Sequence, residues 1–289
     1  LYAAPPRRLV CDQHPDYPSA AFARDCGLPL LEVQHHHAHA LACMAENDLA
    51  PPVLGVAWDG AGYDPDGVVR GGEFLLVGES SIERVAHLRA FRLPGGDAAA
   101  REPRRCALGL LHELRGPAAL GADVPQALRV MLERGVNSPP TTSAGRLFDA
   151  VASLLGLAQR CGYEGQAAMA LEFSAQPATR QAYPISLRGE VVDWQPTIEA
   201  LLADSEPVAV RAARFHNALA EAVLAVARRT GVAQVALSGG CFQNRLLTER
   251  TVVRLRDAGF RPAWHQRVPP NDGGIALGQM LAAVRASPE

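Results

Sequence analysis

Short apolar runs rich in β-branched residues alternate with Ala/Leu segments of helical period along most of this chain. That alternation admits few architectures other than an α/β fold, a mixed or parallel sheet layered with helices. Residues 8–12 and 30–33 read as short strands with a helix over 19–26 between them, and a second helix starts near His35 and runs to about Asn47. An apolar strand over 53–58, a turn-rich stretch over 59–67 and a strand over 68–78 read together as a hairpin. From about 97 to 175 helical periods dominate, including 146–157 and 166–173, while the aperiodic stretch 177–207 reads as a loop-and-hairpin excursion. A long amphipathic helix over 208–229 precedes a strand over 232–237, a helix over 244–257, a strand over 261–265 and a last helix over 274–285.

Composition excludes several function classes. The net charge of −2, with both signs interspersed, lacks the basic footprint that nucleic-acid backbones require. All 28 basic residues are arginines, so phosphate-loop lysines, Schiff bases and lysine general bases are ruled out. The six cysteines are scattered without close pairs, which fits a reduced cytoplasmic protein. No run of 18 apolar residues is present, and residues 1–8 carry Pro and Arg where a signal peptide would be apolar, so neither a membrane nor export is expected.

Six stretches carry chemistry. Four of the nine histidines fall in His35-His36-His37-Ala38-His39 at the start of a helix. Residues four apart share a helix face, so His35 and His39 fit one metal ion; His36 and His39, three apart, fit it too, and spacing does not choose. The bland alternative is a polar helix start. Asp59 ends an apolar strand beside Gly60 and Gly62, a layout suited to a metal bound together with phosphate, or to a plain turn. Ser238-Gly239-Gly240-Cys241-Phe242-Gln243-Asn244 joins a strand to a helix and offers free N–H groups to an anion. Asn271-Asp272-Gly273-Gly274 has a similar layout, with capping as the alternative. Asp149, on a helix opened by Gly145, and Glu164 are candidates to accept ribose hydroxyls, though acids in a first turn often serve the helix dipole alone.

Taken in order, Cys11-Asp12-Gln13-His14-Pro15-Asp16-Tyr17, the histidine run with Cys43-Met44-Ala45-Glu46, the Asp59 loop, Leu93-Pro94-Gly95-Gly96-Asp97, the helices opened by Gly145 and Glu164, and the Gly239 and Asp272 loops resemble the C-terminal module of HypF-type hydrogenase-maturation carbamoyltransferases. The resemblance covers nearly the whole chain, and the pairing of the His-rich run with Ser-Gly-Gly-Cys-Phe-Gln-Asn is its most specific part. Similar modules occur in tRNA threonylcarbamoyl-transferases and antibiotic O-carbamoyltransferases. The resemblance implies an actin-like ATPase fold, two lobes around a nucleotide cleft: residues 1–50 as the remainder of a first lobe incomplete at its N-terminus, and 51–289 as the second. It implies His35, His39, Asp59 and Asp272 as metal ligands, in preference to His36. It sets Gly239, Gly240 and Asn244 against phosphates and Gly145, Asp149 and Glu164 against adenosine.

The implied reaction is carbamoyl transfer from carbamoyl adenylate, itself made from carbamoyl phosphate and ATP, to the C-terminal cysteine of a HypE-type acceptor protein. AMP is the leaving group, and a divalent metal, Fe(II) or Zn(II), with Mg admissible beside the nucleotide, polarises the carbonyl. In the family, adenylate formation belongs to a separate preceding domain, so activity of this module alone is an open expectation. Rival readings are an O-carbamoyltransferase, a kinase-like phosphotransferase, which has no need of paired histidines, a metallopeptidase, which lacks its His-Glu-x-x-His base, and a non-catalytic docking module.

Overall fold

The computed structural model describes residues 5–286. Its first half runs β1 (Leu9–Asp12), α1 (Pro18–Asp25), β2 (Leu30–Val33), α2 (His35–Glu46), β3 (Val53–Gly62), β4 (Arg70–Val77), β5 (Ile82–Leu88), β6 (Phe91–Arg92), α3 (Ala98–Arg101), α4 (Pro103–Arg115), α5 (Gln126–Arg134), β7 (Pro140–Thr141) and α6 (Ala144–Leu154). The second continues with α7 (Gln166–Ser174), β8 (Ser186–Arg188), β9 (Val191–Asp193), α8 (Gln195–Ala203), α9 (Val208–Thr230), β10 (Gln234–Ser238), α10 (Arg245–Asp257), β11 (Arg261–Trp264) and α11 (Ile275–Arg285).

A seven-stranded mixed sheet in the order β11-β10-β3-β4-β5-β9-β8 bears out the α/β expectation. β11, β10 and β3 are mutually parallel, β4 is antiparallel to both its neighbours, and β9 returns parallel to β5. Strand periodicity divides the residues of β3 between two cores. Leu54, Val56 and Trp58 face the large cluster that includes Leu147 and Phe148 of α6 and Phe215 of α9. Val53 and Ala57 face the smaller cluster built with Ala40, Leu41 and Met44 of α2. Burying each of the larger apolar side chains contributes about 1.5–3 kcal/mol.

Close backbone approach sets α2 in place. A Cβ at Gly55 would lie 2.7 Å from the Cβ of Ala40, and one at Gly278 would lie 1.8 Å from the carbonyl oxygen of Ala38. The glycines therefore let α2 sit hard on β3 and let α11 cross α2, which brings the start of α11 to the histidines. β1 and β2 form a separate parallel pair, with a small core of Cys11, Ala20 and Ala23.

Three features differ from the expected elements. β3 does not stop at Trp58 but continues to Gly62, because a register shift between Trp58 and Gly62 keeps it paired with β4 while bulging the residues between. β5 falls outside the apolar runs, since Glu83, Arg84 and His87 interrupt its pattern. Within 177–207 the hairpin is present as β8 and β9, but α8 follows it; Pro196 in its first turn reads as a breaker, yet that turn tolerates proline.

Candidate functional site

Helix α2 begins at the histidine run because Gln34 caps it: its side-chain oxygen accepts from the N–H groups of His36 at 2.7 Å and His37 at 3.1 Å. One turn apart, His35 and His39 bring their Nε2 atoms within 3.2 Å of each other. Oδ2 of Asp59 lies 3.3 Å from the first and 3.0 Å from the second. Oδ1 of Asp272 completes the group at 3.5 and 3.6 Å. All four donor atoms lie within 4.8 Å of one another. Two ligands bonded at about 2.1 Å to one tetrahedral ion sit roughly 3.4 Å apart, close to the spacings of each histidine from the other and from the two carboxylates. Two neutral imidazoles cannot both accept where their Nε2 atoms meet, so at least one proton, or a cation held in its place, lies between these atoms and the carboxylates.

His36 takes no part in this group. Its ring fills the space above Gly62, where a Cβ would lie 2.2 Å from Cε1, and its Nε2 is buried without a partner. Burial, reinforced by His35 and His39, holds its pKa well below the ordinary value.

The surroundings hold the four side chains in place. The Nδ1–H of His35 donates to Oδ2 of Asp12 at 2.8 Å, which turns Nε2 towards Asp59; sequence reasoning did not assign Asp12 to the site. Oδ1 of Asp59 accepts from the N–H groups of Gly60 at 2.7 Å and Gly240 at 3.2 Å, leaving Oδ2 for the histidines. Ser143 caps α6 and donates to the carbonyl of Asp59 at 2.6 Å, tying that helix to the bulge. Asp272, 63% exposed at its side chain, is not the cap: the side-chain oxygen of Asn271 accepts from Gly273 N–H at 3.1 Å.

Electrostatics follow from three carboxylates around two rings. Burial opposes charge on His35, but hydrogen bonds to Asp12, Asp272 and Asp59 outweigh it and push its pKa up to about 12. His39 is also raised, by Asp272 and Asp59 against burial. Burial would raise Asp59, yet the two histidines hold it well below the carboxylate range; they lower Asp272 too.

Beyond this group opens a cavity of about 460 Å³. Asp59, Asp272, Asn271 and Gly240 form one part of its wall, with Gly60, Gly145, Arg146, Asp149 and Glu164 elsewhere along it. A Cβ at Gly145 would lie 2.7 Å from the Cα of Gly60, so glycine is required where α6 meets the bulge. Arg146 and Asp149 approach to 3.0 Å, but Oδ2 of Asp149 and Nε of Arg146 remain without a hydrogen bond. Burial, with Glu164 adding and Arg146 opposing, raises Asp149 to about 6. Cys241 also lines the cavity, and burial followed by the charge of Asp59 keeps its thiol protonated, which makes it a poor nucleophile.

Three expected phosphate- or ligand-facing residues lie elsewhere. Gly62 makes room for His36. Gly239, at φ +96°, lets the loop pass over β3, where a Cβ would lie 2.2 Å from the carbonyl oxygen of Trp58. Asn244 caps α10 by accepting from Leu247 N–H at 2.9 Å, and its amide donates to Nε2 of His216 at 2.9 Å. Gly240 does line the cavity, but its N–H is directed to Asp59 rather than left for an anion.

A family model described as carbamoyltransferase, Kae1-like domain, second subdomain, matches residues 55–279, and one described as HypF Kae1-like domain matches residues 1–46. The chain is 40% identical to carbamoyltransferase HypF of Synechocystis sp., covering 99% of this chain and 41% of that protein. It is 41% identical to a carbamoyltransferase HypF homolog of Cupriavidus necator, covering 95% of this chain and 77% of that one. Among solved structures, full-length HypF in its phosphate- and nucleotide-bound form superposes with a TM-score of 0.89 at 36% identity, over 96% of this chain and 46% of that one. HypF of T. kodakarensis gives 0.86 at 31% identity, over 96% and 40%.

Proposed function

Because the chain belongs to the HypF carbamoyltransferase family, with the Kae1-like, actin-like ATPase type of fold, we propose that it transfers a carbamoyl group from carbamoyl adenylate to the C-terminal cysteine of a HypE-type acceptor protein in hydrogenase maturation. The observation that carries this reading is the convergence of His35, His39, Asp59 and Asp272 at a cavity that also holds Asp149 and Glu164. In the reaction the acceptor's sulfur bonds to the carbamoyl carbon, the carbon–oxygen bond to phosphate breaks, AMP leaves and the thiol proton is released.

His35, His39, Asp59 and Asp272 are the residues that would hold a divalent cation, and their mixed nitrogen and oxygen donors suit Fe(II), Zn(II) or Mn(II). Such a cation supplies Lewis-acid polarisation and neutralises charge on the departing phosphate. The chain's own residues do the positioning. Asp12 orients His35, Gly60 and Gly240 orient Asp59, and Asp149 and Glu164 accept the ribose hydroxyls. The nucleophile belongs to the acceptor, which agrees with the protonated Cys241.

The test is a single-turnover reaction in which purified chain receives carbamoyl adenylate and an acceptor ending in cysteine. The expected product is an acceptor heavier by one carbamoyl group, detected by mass spectrometry, with AMP released in equal amount. Nucleotide binding without transfer would instead leave a docking module.

Asp149 makes the nucleotide reading testable without the metal. An ionised carboxylate accepts from two ribose hydroxyls more strongly than a protonated one, so adenosine affinity is expected to strengthen as pH rises through about 6. The proton that burial retains on Asp149 adds stability below the ordinary carboxylate pKa, and that contribution is lost as pH rises through about 6. Asp149→Asn should flatten the pH dependence of adenosine binding, followed by calorimetry between pH 5 and pH 8. The same slope in the variant would remove Asp149 from the ribose.

A further inference from the structure

The last residue of α2, Glu46, is 2% exposed at its side chain and gathers donors from four consecutive residues far away in sequence. Its carboxylate accepts from the N–H groups of Gln266 at 2.9 Å and Val268 at 3.3 Å, and from that of Arg267. The Nδ1–H of His265 donates to its other oxygen at 2.6 Å. Burial lowers the pKa of His265, so the ring is neutral and its Nε2 accepts from the hydroxyl of Ser238 at 2.8 Å. Ser238 immediately precedes Gly239 and Gly240. A serine, histidine and carboxylate in line suggest a hydrolytic nucleophile, but Ser238 is wholly buried and meets no substrate.

Only three residues separate this knot from Asp272, and two of them are prolines. Pro269 and Pro270 have fixed φ, and the carbonyl of Pro270 accepts from Gly239 N–H at 2.9 Å. A Cβ at Gly274 would lie 2.3 Å from the carbonyl oxygen of Pro269, so the turn folds tightly back on the prolines. The link from Val268 to Asp272 is therefore stiff, and whatever holds residues 265–268 also holds the Asp272 carboxylate. α2 carries two ligands at one end and the anchor of a third at the other.

We propose that Glu46, with His265 and Ser238, forms a positioning assembly that sets Asp272 against His35 and His39. This deepens the reading of His35, His39, Asp59 and Asp272 as a divalent-cation site and rests on it. Its consequence is coupling: Glu46 should influence cation affinity only through Asp272.

The test is a double-mutant cycle of Glu46→Gln and Asp272→Asn, read by competition titration with Zn(II) alone and by thermal denaturation. Asp272→Asn leaves the cap to Asn271 and is expected to fold. Glu46→Gln should weaken Zn(II) by about 10–100-fold, and Asp272→Asn, at a ligand itself, by at least as much. The double variant should bind no more weakly than Asp272→Asn, whereas general softening of the fold would make the two losses multiply. Multiplied losses, or undiminished affinity in Glu46→Gln, overturn the inference. Should Glu46→Gln not fold, His265→Asn keeps a donor near the Nδ1 position and releases Ser238. Its smaller loss should likewise vanish in the Asp272→Asn background, and persistence there overturns the inference. Failure of the wild-type chain to bind Zn(II) rejects the cation site itself, so the two failures are distinguishable.

Discussion

His35→Ala and His39→Ala are each expected to weaken Zn(II) binding by on the order of 100-fold or more, whereas His36→Ala leaves it close to wild type. Removing a direct ligand costs more than disturbing a supporting residue, for which losses of about 10–100-fold are usual. His36 is as buried as His35 and His39, so its replacement must have some effect, and the structure identifies which kind. Its ring packs over Gly62, and its Nε2 has no partner. His36→Ala therefore removes packing without opening the ligand set, at a cost of roughly 0.5–3 kcal/mol in stability. Metal titration and thermal denaturation on the same samples separate the outcomes. Loss of metal in His36→Ala, with a native-like circular dichroism spectrum, would contradict the assignment; so would full binding in His35→Ala.

The histidine pair was legible because one turn of helix is a local property, readable from spacing once a helix is expected. The choice between His35 and His36 was not legible from spacing, because it depends on which ring meets Gly62, a residue on another element. Asp12 was missed for a related reason. Its carboxylate acts at a distance of 23 residues, and the contact exists because β1 and β2 pair in parallel with Asp12 opposite Val33, just before His35. A general signal was nevertheless present. Asp12, His35, Gly240 and Asp272 all lie at or beyond the C-terminal ends of parallel strands β1, β2, β10 and β11, and Asp59 lies late in β3, where ligands of open α/β sheets gather. Reading strand ends as a set, rather than motif by motif, brings Asp12 into the group. The placements of Gly239 and Asn244 needed three dimensions, since a strand, a glycine pair and a helix look alike whether the N–H groups face an anion or the loop faces its own sheet.

Gly240→Val is expected to lower Zn(II) affinity by on the order of 100-fold while the chain keeps its fold. A Cβ at Gly240 would lie 2.8 Å from Oδ1 of Asp59, closer than a real Cβ tolerates, and the two methyl groups of valine widen the conflict. The carboxylate must move, its hydrogen bond from Gly240 N–H is strained, and Oδ2 leaves the position facing His35 and His39. The backbone at Gly240 does not require glycine for its dihedral angles; the restriction comes from the side chain of Asp59. Gly239 is the opposite case. Its φ of +96° and its contact with the Trp58 carbonyl make any substitution there a test of folding, so the two neighbouring glycines divide fold from site. On the proposed reading, adenosine rests on Asp149 and Glu164 rather than on Asp59, so its binding should fall much less than metal binding, while ATP, whose phosphates would reach towards the cation, should be affected more than adenosine. Titrations with Zn(II), adenosine and ATP, beside circular dichroism, give that order. Adenosine binding lost as completely as metal binding would mean that the cavity had collapsed, and unchanged Zn(II) affinity would mean that Asp59 does not hold the cation, leaving His35, His39 and Asp272 to account for it.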